Sequence, residues 1–89
     1  MKSSTNRRFW ESYRKLPETV RRDARKKYLL WLANPRLPSL HFKKVGKVWS
    51  IRIGNTSYRA LADIQGNTVY WFWIGPHDAT SGLLVAADL

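Results

Sequence analysis

The spacing of apolar positions changes once along this chain, from a helical period to a strand period, and the change divides it into two halves. Phe9, Tyr13 and Leu16 recur at i, i+4 and i+7, which predicts a first helix over about residues 7–16. Pro17 interrupts that pattern and suits the first turn of a second helix, with Glu18 close behind at the positive end of the helix dipole. Val20, Ala24, Tyr28, Trp31 and Leu32 give the second helix one apolar stripe, while Arg21, Arg22, Arg25 and Lys26 fall on its other side. The "ANP" at 33–35 ends it, because a residue before proline resists helical angles. Two helices joined at a Leu-Pro corner form a helical hairpin.

From "PSLHFKKV" onward the period becomes two. Trp49, Ile51 and Ile53 alternate with Ser50 and Arg52; Tyr58, Ala60, Ala62 and Ile64 alternate with Arg59, Leu61 and Asp63. "QGN" at 65–67 marks a turn. "TVYWFWI" at 68–74 shows no alternation, as expected of a strand covered on both faces. The predicted fold is α+β, an N-terminal helical hairpin packed on one face of a small antiparallel sheet. The 89 residues form a single domain, 1–89, with 79–89 irregular and 1–6 irregular or at most a short edge strand.

A tight turn at 54–57 sets Ile53 opposite Tyr58 and Arg52 opposite Arg59. The sheet face away from the helices then displays Ser50, Arg52, Arg59, Leu61, Val69, Trp71 and Trp73, which interleaves cations with indole rings. A slip of one residue would reverse that assignment.

Charge sharpens the picture. Sixteen Lys and Arg against six Asp and Glu give a formal net charge of +10. Residues 1–44 hold thirteen of the bases and three of the acids, and residues 45–89 hold three of each, so the whole excess lies in the first half. An anionic partner, nucleic acid or an acidic protein, is expected there. With no cysteine, disulfides, thiol nucleophiles and thiolate metal sites are excluded, and two histidines are too few for a zinc site. No cofactor is implied. The longest apolar run, 69–74, is far short of a membrane span, and the start "MKSSTNRRFWESYRK" lacks the apolar run of a signal peptide. No membrane association is expected, and the cytoplasm is the expected compartment.

Like charges directly across an antiparallel pair are destabilising, so Arg52 and Arg59 need a reason to face each other. One reason is an anion between them, since guanidinium forks match phosphate oxygens in geometry. Trp71 or Trp73 would then stack a base. The other is that each arginine pairs with a carboxylate, Asp63 or Asp78, with the tryptophans serving as core. His77, in "IGPH", is either a proton-transfer group near the end of the sheet or merely solvated. Lys43, Lys44 and Lys47 flank a turn, as phosphate contacts or as ordinary surface lysines.

These pieces resemble the RelE/ParE superfamily of bacterial type II toxins, particularly its HigB-like and RelE-like branch. The resemblance rests on "RRFWESYRKLPETVRRDARKKYLLWLANPRLPSLHFKKV", "WSIRIGNTSYRAL" and "VYWFWIGPH", in that order over about residues 7–77. It implies a helical hairpin against a small sheet. It implies a metal-independent endoribonuclease that cuts messenger RNA on the ribosome and is neutralised by a cognate antitoxin. Position by position, Arg59 matches the family's most dependable active-site arginine, Arg52 a position where RelE carries a catalytic lysine, and His77 an active-site histidine or arginine. Lys43 and Lys44 match a basic segment of varying role. Relatives follow the histidine with a Glu and a Tyr where this chain has Ala79 and Thr80. Two alternatives therefore stand beside the nuclease: a ParE-like inhibitor of DNA gyrase, and a degenerate, non-catalytic RNA- or antitoxin-binding member.

Overall fold

The computed structural model describes residues 2–53 and 57–76. Strand β1 spans Lys2–Thr5, helix α1 Arg7–Arg14 and helix α2 Glu18–Ala33. A single 3₁₀ turn, Pro38–Leu40, leads into strands β2 (Lys43–Val45), β3 (Val48–Arg52), β4 (Tyr58–Gln65) and β5 (Thr68–Pro76). Asn6 starts α1 from an extended conformation, and its Oδ1 accepts the Phe9 N–H at 2.9 Å, satisfying one of the orphan donors of the first turn. The helix tightens at its end, where Lys15 and Leu16 donate to the carbonyls of Ser12 and Tyr13. Pro17 caps α2 rather than lying in its first turn; its carbonyl accepts the Arg21 N–H at 3.0 Å. Asn34, before Pro35, is extended at φ −155° and closes α2 as the sequence requires. Among the described residues no helix is long and apolar enough to cross a membrane.

The five strands run in the order β1-β5-β4-β3-β2. The sheet is mixed, whereas the alternation pattern pointed to antiparallel pairing throughout. Strands β2 to β5 form the expected antiparallel meander, but β1 pairs parallel to β5, with Lys2 beside Thr68 and Thr5 beside Trp71. The polar "KSST" carries no hydrophobic signal because backbone and hydroxyl bonds hold it. Lys2 N–H donates to the Asn67 carbonyl at 2.8 Å, and Ser3 Oγ accepts both Trp71 Nε1–H at 3.1 Å and Tyr28 O–H at 2.9 Å.

Both helices pack on the face that carries Ile51, Ile53, Ala60, Ala62, Val69, Trp71 and Ile74. Leu16, Val20, Ala24 and Trp31 enter this core from the helical hairpin, with Phe9 and Tyr13 half-buried against it. Trp31 meets Trp71 edge to face at 5.3 Å, a favoured aromatic arrangement. The expected α2 stripe is only partly buried: Val20, Ala24 and Trp31 are, while Tyr28 and Leu32 are exposed. Each four-residue step drifts about 40° around a helix of 3.6 residues per turn, so the row from Val20 has rotated out of the core by Leu32.

Strand β5 contains a bulge. Ala62 pairs with Trp71 and Leu61 with Trp73, leaving Phe72 as the extra residue. This shift puts Val69, Trp71 and Ile74 on the helical face and Trp73 on the other. Of the residues assigned by strict alternation to the face away from the helices, Val69 and Trp71 therefore belong to the helical core instead.

Candidate nucleic-acid interface

Arg52 and Arg59 pair across β3 and β4. The Ile53 N–H donates to the Tyr58 carbonyl at 3.1 Å, which makes that neighbouring pair the hydrogen-bonded kind. In an antiparallel ladder the two kinds alternate, so Arg52 and Arg59 form a non-hydrogen-bonded pair, with Cα atoms about 4.5 Å apart and side chains at their closest. Two guanidinium groups thus leave the sheet together on the face opposite α1 and α2.

The two guanidinium groups act on each other electrostatically. Burial, and then the charge of Arg52, lower the pKa of Arg59, so its charged form is disfavoured in the folded chain. Arg59 Nη1 donates to the Tyr58 carbonyl at 3.0 Å, which steers the guanidinium along β4. The Nε of Arg52 is buried with no hydrogen-bond partner among the described residues. A buried donor left unsatisfied is costly, and an anionic oxygen would relieve it. Asp63 does not close the pair: it lies four residues along β4, roughly 13 Å away, and its Oδ2 accepts from Gln65 Nε2 at 3.0 Å.

Trp73 borders the arginines. Its cross-strand partner is Leu61, and the next pair on that face is Arg59 with Gly75. The indole lies down along the strand onto Gly75, where any Cβ would collide with its Cζ2 and Cη2 atoms. Gly75 is therefore a seat for the ring, which keeps it half-exposed beside Arg59. On the other side, Lys43 pairs with Ser50, and Ser50 precedes Arg52 by two residues on the same face. That makes Lys43 a diagonal neighbour of Arg52, about 7–8 Å between backbones. Lys43, Arg52, Arg59 and Trp73 form one band across four strands.

No protein-family model matches this sequence, and no curated protein does. Solved structures do. The chain is similar to a mutant of the E. coli toxin RelE in the free state, with 22% identity, TM-score 0.69, and coverage of 99% of this chain and 97% of that one. It is also similar to a chain of the RelB–RelE antitoxin–toxin complex from Methanococcus jannaschii, with 16% identity, TM-score 0.70, and coverage of 89% and 95%. A third match, the toxin–antitoxin complex RelBE2 from Mycobacterium tuberculosis, has 17% identity, TM-score 0.58, and coverage of 84% and 88%. The chain has the RelE fold.

Within the RelE fold, the residues singled out in the sequence separate into three groups. Arg52, Arg59, Trp73 and Lys43 share the face opposite α1 and α2. Trp71, Lys44 and Lys47 do not join them. Trp71 is 4% exposed, in the core, with its Nε1 bonded to Ser3. Lys44 pairs with Trp49 on the opposite side of the sheet, and Lys47 lies in the β2–β3 turn, away from the arginines. His77, Asp78, Ala79 and Thr80 lie outside the described residues. Gly75 was missed in the sequence, since a contact between its Cα and an indole two residues earlier leaves no local pattern.

Proposed function

We propose that this protein is the toxin of a type II toxin–antitoxin pair and acts as an endoribonuclease on messenger RNA at the ribosome. The observation that carries the reading is the Arg52–Arg59 pair, two cations set side by side on the sheet face opposite α1 and α2, with a buried guanidinium donor that has no partner among the described residues. In the reaction the ribose 2′-hydroxyl attacks its own adjacent phosphate. A bond from the 2′ oxygen to phosphorus forms, the bond from phosphorus to the 5′ oxygen of the next nucleotide breaks, and a cyclic phosphate and a 5′-hydroxyl result. The 2′-hydroxyl loses a proton and the leaving oxygen gains one. Charge accumulates on the phosphorane oxygens, where preorganised donors have their largest effect.

Arg52 and Arg59 hold that charge, and a shared phosphate converts their repulsion into charge-assisted hydrogen bonds. His77 moves the proton, as donor to the leaving oxygen. Trp73 stacks a base next to the scissile phosphate, and Lys43 contacts a flanking phosphate. The partner that neutralises the protein is a cognate antitoxin; RelB–RelE complexes stand among the similar structures. These side chains supply the cations and the proton carrier, so the scheme calls for no cofactor.

The test is cleavage of a defined message by the purified protein, with and without programmed ribosomes, mapped by primer extension. Ribosome-dependent cuts that vanish in Arg59→Ala are expected. Intact messages together with inhibited DNA supercoiling by gyrase would replace this reading with the ParE-like one.

A further inference from the structure

The end of strand β5 is held differently from its start, and a recess results. Strand β1 accompanies β5 only as far as the Thr5–Trp71 pair. Beyond it, among the described residues, no strand pairs with the outer edge of β5. Helix α1 takes over there: Ser12 Oγ accepts the Ile74 N–H at 3.1 Å and donates to the Phe9 carbonyl at 2.7 Å. A space of about 270 Å³ remains between the end of α1 and the ends of β4 and β5. Lys15 and Leu16 line it from the turn after α1, Tyr58 from β4, and Trp73, Gly75 and Pro76 from β5. Two of these residues adjoin the arginine pair. Gly75 is the cross-strand partner of Arg59, and the Tyr58 carbonyl accepts a hydrogen bond from Arg59 Nη1.

Size and lining select the occupant. The space exceeds the about 150 Å³ of an apolar cavity that takes up benzene and falls just short of the roughly 300 Å³ at which drug-sized ligand pockets begin. A single nucleobase fits. Two aromatic rings and a proline offer apolar surface to the faces of a base, and stacking of that kind is indifferent to sequence. The selective element is Lys15, the one charged side chain in the lining among the described residues. An ammonium group donates and cannot accept. At the edge of a base it is satisfied by the carbonyl oxygen of uracil (O4) or guanine (O6), and opposed by the amino group that cytosine (N4) and adenine (N6) carry at the same place. That is discrimination by a repulsive contact. Ser12, also in the lining, has its proton committed to the Phe9 carbonyl, and a remaining lone pair suits the ring N–H that uracil and guanine carry beside that oxygen. We propose that this recess seats the base of a nucleotide flanking the scissile phosphate, and that Lys15 selects uracil or guanine there over cytosine or adenine. The proposal rests on the RNA reading above for its ligand and adds which bases the site admits. Trp73 is then the wall shared by the arginine face and the recess.

The probes are 2′-O-methyl pentanucleotides, which lack the attacking hydroxyl, so affinity is read without cleavage. In a cytidine background each position in turn carries uridine, guanosine or adenosine. Binding to the full chain is followed by fluorescence anisotropy and by amide chemical shifts. At one position uridine and guanosine should each bind about tenfold more tightly than cytidine or adenosine, within the range of a good base-edge contact. Shifts on binding should include Ser12, Lys15 and Gly75. Lys15→Gln, whose amide both donates and accepts, should erase the preference. Lys15→Glu, which only accepts, should reverse it toward cytidine and adenosine, beyond the uniform loss expected from removing a positive charge. Lys15 is exposed, so both variants should melt with the wild type. Equal affinity for all four bases, a preference that both variants keep, or shifts that spare Lys15 and Gly75 would each overturn the proposal while leaving the RNA reading standing. No binding by any pentanucleotide would overturn both.

Discussion

Trp71 and Trp73 lie on opposite faces of the sheet although only Phe72 separates them, because the bulge at Phe72 resets the alternation of β5. Trp71 faces the helices, 4% exposed and packed edge to face on Trp31, while Trp73 lies beside Arg59 on the opposite face. Their substitutions should therefore have opposite signatures. Trp71→Ala removes a core side chain and the donor to Ser3, and should cost about 3–5 kcal/mol in a urea melt. Its RNA affinity per folded molecule should be unaltered. Trp73→Ala should leave most of the stability and lower RNA affinity by the ~1–3 kcal/mol of a stacked base. Matching losses in both measurements would remove Trp73 from the site.

Gly75→Ala tests the seat of the ring. The added methyl group must push the indole of Trp73 off β5, since the collision is with ring atoms two residues away on the same face. Activity should fall to the level of Trp73→Ala. Combined with Trp73→Ala, the glycine substitution should have little further effect, because no ring remains to be displaced. Independent, additive losses would show that Gly75 acts in some other way.

The helical hairpin and the Arg52–Arg59 register were legible in the sequence because each is written locally. Phe9, Tyr13 and Leu16 give one helical period, Pro17 and Pro35 bound the second helix, and polar residues between Trp49, Ile51 and Ile53 fix the phase of β3. In "VYWFWI" no polar residue marks the phase, so nothing there announces a bulge. Strand β1 was illegible for a different reason: its partners are Asn67, Trp71 and Tyr28, all distant in sequence. The recess at the end of β5 also depends on such distant contacts. The exposure of Tyr28, Leu29 and Leu32 reflects how far α2 stands from the sheet, which a helical period does not encode.

Arginine titration should not shape activity near neutral pH. The lowered pKa of Arg59 means that the unfolded chain holds its proton more tightly than the folded one. By linkage this penalises the folded state while arginine is charged in both states, and relief comes only as pH climbs through the alkaline range just below the ordinary arginine value. Between pH 5 and 9 Arg59 contributes no slope. A pH–rate profile in that range should instead show one limb carried by His77, with the rate falling as it loses the proton it donates. His77→Gln should flatten that limb. An unchanged profile would take His77 out of the proton transfer.

Phosphate contacts on the arginine face should appear in the salt dependence. Lys43 shares the face of Arg52, whereas Lys44 pairs with Trp49 on the other. Lys43→Gln should reduce the slope of log affinity for single-stranded RNA against log salt by about 0.7, the share of one released counterion. Lys44→Gln should change it less. Equal changes would mean that RNA reads the β2 edge as a cationic rim and does not distinguish the faces.

The arginine pair itself makes the sharpest prediction, because stability and activity should move in opposite directions. In the free protein Arg52 and Arg59 repel each other at the closest kind of antiparallel pair, and burial adds to the cost for Arg59. Arg52→Ala relieves the repulsion and removes the unsatisfied Nε donor. It should therefore hold stability constant or raise it, by up to about 1 kcal/mol, the range for a cross-strand pair. Arg59→Ala loses a hydrogen bond to the Tyr58 carbonyl as well and should gain less. Either substitution should lower cleavage on the order of 10²–10³, the usual effect of removing one preorganised charge from a developing anion. Inorganic phosphate adds a check that requires no RNA. At ten times its dissociation constant it should stabilise the native chain by about 1.4 kcal/mol through mass action, and the effect should disappear in both variants. Arginines that held the sheet together would give the reverse pattern: melting would fall first, activity would follow only the folded fraction, and phosphate would stabilise wild type and variants alike.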